Sequence, residues 1–211
     1  MYVHVNAAVS VDGKLSSRRR EQIAISGDED FARMERLRAE SDAVVVGIGT
    51  VLADDPSLER HDESLGAAPP ARIVADSRAR TPTDAAILAG DRPTYVLTSE
   101  AAPTDRRTAL ERAGATLVVA GDDRVDLSAA FAALERDGIE RLLVEGGGEL
   151  IFSLFEADLV DELAVYVGSV LMGGRDAPTL ADGEGFTEAF PTLDLRDVSR
   201  LDDGVVLSYA V

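Results

Sequence analysis

Several groups of residues in this chain of 211 have types and spacing that suit chemistry. The first surrounds Lys14 in Ser10-Val11-Asp12-Gly13-Lys14. Of 21 Lys and Arg residues it is the only lysine, so every other strong base is an arginine. A lone primary amine just after an apolar run is either a surface charge or a site group able to donate protons. The second group, Gly47-Ile48-Gly49-Thr50, leads into Val51-Leu52-Ala53-Asp54-Asp55-Pro56. Its glycines permit close backbone approach, and Thr50 is placed to start a short helix whose free N–H groups suit a phosphate. Leu52 stands where a third glycine would complete a dinucleotide fingerprint, so a plain structural turn fits as well.

The third group is Glu145-Gly146-Gly147-Gly148-Glu149-Leu150. Three glycines ahead of a helix expose backbone N–H groups at its positive end. Glu145, just before them, can orient an amino-pyrimidine or move a proton, or simply pair with a backbone amide. The fourth is Asp76-Ser77-Arg78-Ala79-Arg80, where a serine and two arginines can grip a ribose phosphate, the group that distinguishes NADP from NAD. Surface charges would look the same. The two histidines, His4 and His61, have no metal-ligand spacing, and cysteine is absent, so thiolate catalysis and zinc sites of the usual kinds are not expected.

All three glycine or arginine clusters fall where strands should end. Buried strands are expected over residues 2–9, 43–47, 72–76, 94–98, 116–120 and 141–145, with helices over 28–41, 104–113, 127–137 and 149–157. In the first helix Phe31, Met34 and Leu37 recur at helical spacing, and Ser26 or Asp28 can cap it. Residues 60–70 read as a loop, 161–170 as a strand, and 205–210 as a last strand with no helix between. Strand–helix alternation followed by strands alone predicts an α/β fold: a mostly parallel mixed sheet flanked by helices and finished by antiparallel strands. Ligands of such sheets bind beyond the carboxyl ends of the strands, where these clusters sit. No repeat or linker interrupts residues 1–211, which read as a single domain.

The formal net charge is −18, with 39 acidic residues spread along the chain. That field opposes nucleic acid and anionic membranes as partners. Acid excess with almost no lysine resembles cytoplasmic proteins of salt-loving microbes, such as a halophilic archaeon, where concentrated salt screens self-repulsion. No run approaches the length of a membrane span and no signal peptide is evident, so a cytoplasmic location is expected.

Taken in order, Ser10 to Lys14, Ile25-Ser26, Leu37-Arg38-Ala39, Gly49 to Leu58, Asp76-Ser77 and Val144 to Gly148 resemble the riboflavin-pathway pyrimidine reductases. These occur as free-standing enzymes and as the C-terminal half of a bifunctional deaminase/reductase. Thr-Val-Leu-Ala-Asp-Asp-Pro-Ser-Leu, residues 50–58, is the most specific part. The resemblance implies a dihydrofolate-reductase-like fold, NADPH, a homodimer, and 2,5-diamino-6-(ribosylamino)-4(3H)-pyrimidinone 5′-phosphate, whose ribosyl chain is reduced to ribityl. It implies cofactor contacts at Ala8, Thr50, Asp54, Asp76, Ser77, Arg78, Ala79, Gly146, Gly147, Gly148, Glu149 and Leu150. The implied substrate contacts are Ser26, Arg38, Leu58, His61 and Glu145. Lys14 and Glu145 are the candidate catalytic groups, with Asp30 as another carboxylate able to face the iminium charge. Arg60 departs from the family pattern and can share the role of His61; Ala24 stands where bacterial relatives often have tryptophan. No zinc-deaminase signature is present, so deamination is expected from another protein. The alternatives are a dihydrofolate or pterin reductase of the same fold and a non-catalytic NADPH-binding module.

Overall fold

The computed structural model describes residues 1–211 apart from Gln22 and Ala67. The elements run β1 (Tyr2–Ser10), α1 (Asp28–Ala39), β2 (Ala43–Gly47), α2 (Ile48–Asp54), β3 (Ala71–Ala75), β4 (Thr94–Thr98), α3 (Thr104–Arg112), β5 (Thr116–Val119), α4 (Leu127–Arg136), β6 (Arg141–Val144), α5 (Gly148–Glu156), β7 (Glu162–Gly168), β8 (Asp194–Leu201) and β9 (Gly204–Ala210). Among the described residues the architecture is a mixed, mostly parallel sheet of nine strands with five α-helices. The chain divides into two compact units, one of Met1 with Arg38–Leu142 and one of Tyr2–Leu37 with Leu143–Val211.

In the first unit, β2, β3, β4 and β5 pair in parallel, with Val45 opposite Ile73 and Val74 opposite Val96. The β-branched residues of β2, β3 and β4 are buried on both faces, as parallel strands covered by helices require, whereas the edge strand β5 leaves Thr116 and Val119 exposed. Asp126 caps α4 by accepting from the Ala129 N–H at 2.9 Å, and that helix buries Leu127, Ala130, Phe131 and Leu134. The helix ends at Asp137, and the following Gly138 takes φ 88°, the left-handed step that glycine makes without strain. The loop expected over 60–70 contains one 3-10 turn, Glu63–Leu65, and its Ala67 lies outside the described residues.

In the second unit, β1 pairs in parallel with β7, and β9 lies antiparallel to both β7 and β8. The parallel-then-antiparallel order matches the expectation, but β8 was not expected. Its residues are mostly exposed, and Leu195 and Val198 face water, so no apolar alternation marks it. Pairing with β9 makes it a strand, through a two-residue turn at Asp202-Asp203.

Helix α1 corrects two expectations. Phe31 is 47% exposed, whereas Asp30, Glu35 and Arg38 are buried. The helix therefore turns polar groups inward, the reverse of an ordinary amphipathic helix. Its amino end is capped by neither Ser26 nor Asp28: the Asp202 carboxylate accepts from the Glu29 N–H at 3.1 Å and the Asp30 N–H at 3.0 Å. Helix α2 likewise begins at Ile48, so Thr50 sits inside its first turn and does not start it.

Candidate active site

In the first unit, the end of β3 runs straight into the Asp76 to Arg80 turn. Asp76 is fully buried, and its Oδ2 accepts from the Thr81 N–H at 2.7 Å and the Thr81 hydroxyl at 2.8 Å. Its Oδ1 lies 3.8 Å from Arg80 Nε and 3.4 Å from the Arg78 N–H. The carboxylate thus organises its own loop. Ser77 accepts from the Val125 N–H at 3.1 Å, and Ala79 is buried at φ 50°. Arg78 and Arg80 diverge. Arg78 is half exposed, and among the described residues its side chain makes only long contacts, 3.4 Å to the Ala101 carbonyl and 3.5 Å to Asp123. A guanidinium held this loosely can exchange those partners for a phosphate.

Thr50 and Asp54 lie one helical turn apart on α2, Thr50 half-buried and Asp54 reaching water. Surrounding protein nevertheless displaces enough water to lift the Asp54 carboxyl above the ordinary aspartate range.

The Asp-Asp-Pro turn leads to Leu58, which is buried at φ 52°. Two arginines hold this left-handed corner, and a third holds the backbone of one of them. Arg38, at the end of α1, donates to the Glu59 carbonyl at 2.5 Å. Arg92 donates to the Ser57 and Leu58 carbonyls at 3.3 and 3.4 Å. Arg72, on β3, is 1% exposed and donates to the carbonyls of Ala89 at 2.7 Å and Arg92 at 3.0 Å. Burial, then the nearby Arg92, pulls Arg72 below the usual guanidinium value, and burial does the same to Arg92. Arginine remains charged despite such shifts, so the corner gathers guanidinium groups in a chain of net charge −18, with Glu59 at 3.9 Å from Arg92 offsetting part of their charge. Arg72 and Arg92 were not anticipated as part of this group; each reads in sequence as one more arginine. His61 follows on the exposed side of the loop, with Arg60 half-buried before it.

In the second unit, Lys14 and the glycine turn are joined through one segment. Lys14 pairs with Thr179 as an antiparallel bridge, and its Nζ donates to the Ala177 carbonyl at 3.3 Å. Asp182 donates its N–H to the Gly148 carbonyl at 3.1 Å while its Oδ1 receives the Thr179 hydroxyl at 2.6 Å. A Cβ on Gly148 would lie 2.3 Å from the Thr179 carbonyl oxygen. Gly148 is therefore required by close packing, whereas Gly146, at φ 114°, has open space where its Cβ would be. Gly147 precedes α5, and Glu149 is exposed while Leu150 is buried. Glu145 sits half-buried directly after β6. Asp12, ahead of Lys14, accepts from Ser10 Oγ at 2.7 Å and from the N–H groups of Met172 at 3.0 Å and Gly173 at 2.7 Å. Those donors hold its carboxyl down at about 2.

Ala8 lies half-buried opposite Tyr166, and Ser26 stands half-buried between Ile25 and Gly27. Asp30 is committed elsewhere: Arg33 binds it at 2.7 Å and also donates to Asn6 Oδ1 at 2.7 Å. Among the described residues no cluster of His, Asp and Glu could hold a metal ion, and no helix is long and apolar enough to cross a membrane.

The sheet, its helices and the clusters at the strand ends define the dihydrofolate-reductase-like class of fold. Solved structures agree: Acinetobacter baumannii RibD aligns at TM-score 0.82 and 27% identity over 99% of this chain and 57% of that one. The Saccharomyces riboflavin biosynthesis reductase Rib7 aligns at TM-score 0.72 and 23% identity, over 99% and 89%. Enterococcus faecalis dihydrofolate reductase shares the fold more distantly, at TM-score 0.52 and 14% identity, over 99% and 95%. Within that class the chain belongs to the RibD C-terminal domain family, whose model matches residues 1–207. It is 44% identical over 215 aligned residues to the 2,5-diamino-6-ribosylamino-4(3H)-pyrimidinone 5′-phosphate reductase of Archaeoglobus fulgidus, covering 98% of this chain and 96% of that protein. The identically named protein of Methanothermobacter thermautotrophicus is also 44% identical, covering 100% and 98%.

Proposed function

We propose that this chain is an oxidoreductase of riboflavin biosynthesis that reduces the ribosyl side chain of 2,5-diamino-6-(ribosylamino)-4(3H)-pyrimidinone 5′-phosphate to ribityl, with NADPH as reductant. The observation that carries this reading is the 44% identity over the full chain to two reductases of that name. The arginine-held corner at Leu58 fits the substrate: a phosphate needs a local positive pocket to approach a molecule of this net charge. Arg38, His61 and Arg60 would bind it there, and Leu58 and Ser26 would bound the remaining substrate.

A nicotinamide dinucleotide fits the chain's donor set, and when bound it supplies the hydride. Arg78 and Ser77 would hold a ribose 2′-phosphate, and the open space at Gly146 suits close backbone approach. Thr50, Asp54, Ala8 and the rest of the glycine turn would bound the dinucleotide, while Asp76 and Ala79 keep the arginine loop in shape. Glu145 would face the cationic carbon–nitrogen centre of the opened sugar. Lys14 would present protons to the sugar oxygens; an ammonium has three N–H donors, and among the described residues one is engaged, weakly, at 3.3 Å. Residues 1–211 act as a single reductase domain on this reading, which the family match over 1–207 supports. A homodimer in a salt-rich cytoplasm completes it, supported by Leu195 and Val198 exposed on β8 and by the net charge.

The test is NADPH oxidation in molar KCl with the pyrimidine phosphate, its dephosphorylated nucleoside, and dihydrofolate. Efficient turnover of the phosphorylated pyrimidine is expected, with the nucleoside a poor substrate and dihydrofolate none. Arg38→Ala should raise its KM about ten- to a hundredfold, about 1.4–2.8 kcal/mol, leaving NADPH affinity and the poor nucleoside activity nearly unchanged. Turnover of dihydrofolate instead, or cofactor binding with no turnover, would overturn the assignment.

A further inference from the structure

We propose that Asp202, in the turn between β8 and β9, is a positioning residue for substrate binding: it fixes the entry to α1 and with it Ser26. The inference rests on the reading of Ser26 as a substrate contact. The geometry is a capping box made across the fold. Asp202 Oδ1 and Oδ2 accept from successive N–H groups of Glu29 and Asp30, and the Asp202 N–H donates back to Glu29 Oε2 at 2.8 Å. A helix start ordinarily finds these partners within four residues; here they come from 173 residues away.

The segment is pinned on both sides of Ser26. A Cβ on Gly27 would meet the Asp202 carboxyl carbon at 2.6 Å. A Cβ on Gly168 would meet the Ile25 carbonyl oxygen at 2.3 Å, so β7 presses equally close on the other flank. The turn is itself immobilised. Asp203 receives the Tyr166 hydroxyl at 3.2 Å and also the Ser169 hydroxyl. Gly204 leaves no room above Tyr166, which is fully buried with its hydroxyl pushed up to about 12 by burial and by Asp203. Ile25 packs against the same Tyr166 cluster. A turn so rigidly seated offers its carboxylate at one place only, and Ser26 is registered to it.

The test compares Asp202→Ala with Asp126→Ala, which removes an ordinary helix cap from α4. Both should lower the thermal midpoint. Measured well below either midpoint, Asp202→Ala should raise the KM for the pyrimidine phosphate about tenfold with kcat less affected, whereas Asp126→Ala should leave KM within twofold. Asp202→Asn, which keeps one acceptor oxygen, should fall between. Gly27→Ala should be as harmful as Asp202→Ala, and joining it to Asp202→Ala should cost little more, because the clash has been removed. Amide exchange at Glu29 and Asp30 should quicken in Asp202→Ala. Unchanged KM beside a lowered midpoint would reduce Asp202 to a plain helix cap and overturn the proposal. Absence of turnover by the wild type would instead sink the functional reading, and the exchange rates would then decide alone whether Asp202 orders this segment.

Discussion

Replacing Arg78 by alanine should cost this protein its preference for NADPH and little else. In the ligand-free arrangement the guanidinium is 51% exposed and 3.5 Å from Asp123, itself 89% exposed. A pair of this kind contributes about 0–1 kcal/mol. A charge-assisted bond to a phosphate contributes about 1.5–3 kcal/mol. Exchanging one partner for the other therefore nets about 0.5–3 kcal/mol, a preference of about 2- to 150-fold for the phosphorylated cofactor. Arg78→Ala should weaken NADPH by that factor, read as Kd from cofactor fluorescence, and leave NADH within twofold. The thermal midpoint should shift by no more than about 4 °C, since 1 kcal/mol moves a chain of this size by about 2–4 °C. Asp76→Asn is the informative control. Its buried carboxylate serves Thr81 twice, so that variant should loosen the whole loop and weaken both cofactors together. If Arg78→Ala lowered NADH and NADPH affinity equally, Arg78 would be a structural residue and the phosphate site would lie elsewhere.

Two further outcomes follow from charge. With a net charge of −18, the thermal midpoint should climb between 0.1 and 3 M KCl, as the screening length falls from about 10 Å to below about 3 Å; a flat profile would refute the salt-adapted reading. Asp12 has a folded-state value near 2 against an ordinary 3.8, so its contribution is present above about pH 4 and lost as pH falls through 2. Carboxyl NMR should place its midpoint near 2, and Asp12→Asn should flatten the stability profile between pH 4 and 2, whereas an ordinary titration near 3.8 would show that Asp12 does not hold Met172 and Gly173 in solution.

Local sequence was enough to determine the alternation of strands and helices from β2 to α5, because each apolar run and each glycine stop lies within a few residues of what it controls. It also marked the glycine turn, the Asp76 loop and the Asp-Asp-Pro segment, whose residue types are unusual for strand ends. Their roles were another matter. Gly148 reads as one of three loose glycines, yet its constraint is the Thr179 carbonyl, far along the chain. The hold of Arg72 on the Arg92 carbonyl, and of Arg92 on the Leu58 corner, shows only once β3 and the approach to β4 are side by side. The strand β8 escaped notice since an exposed, charged edge carries no periodic apolar signal; hydrogen bonds to β9 create it. Helix α1 shows the division most clearly. Its helical pattern is local and was legible, but its cap is Asp202 and its inward face is Asp30, Glu35 and Arg38. Periodicity is read over a single turn or two of chain, whereas a cap supplied from another hairpin and a buried polar face depend on partners that only the folded backbone brings near.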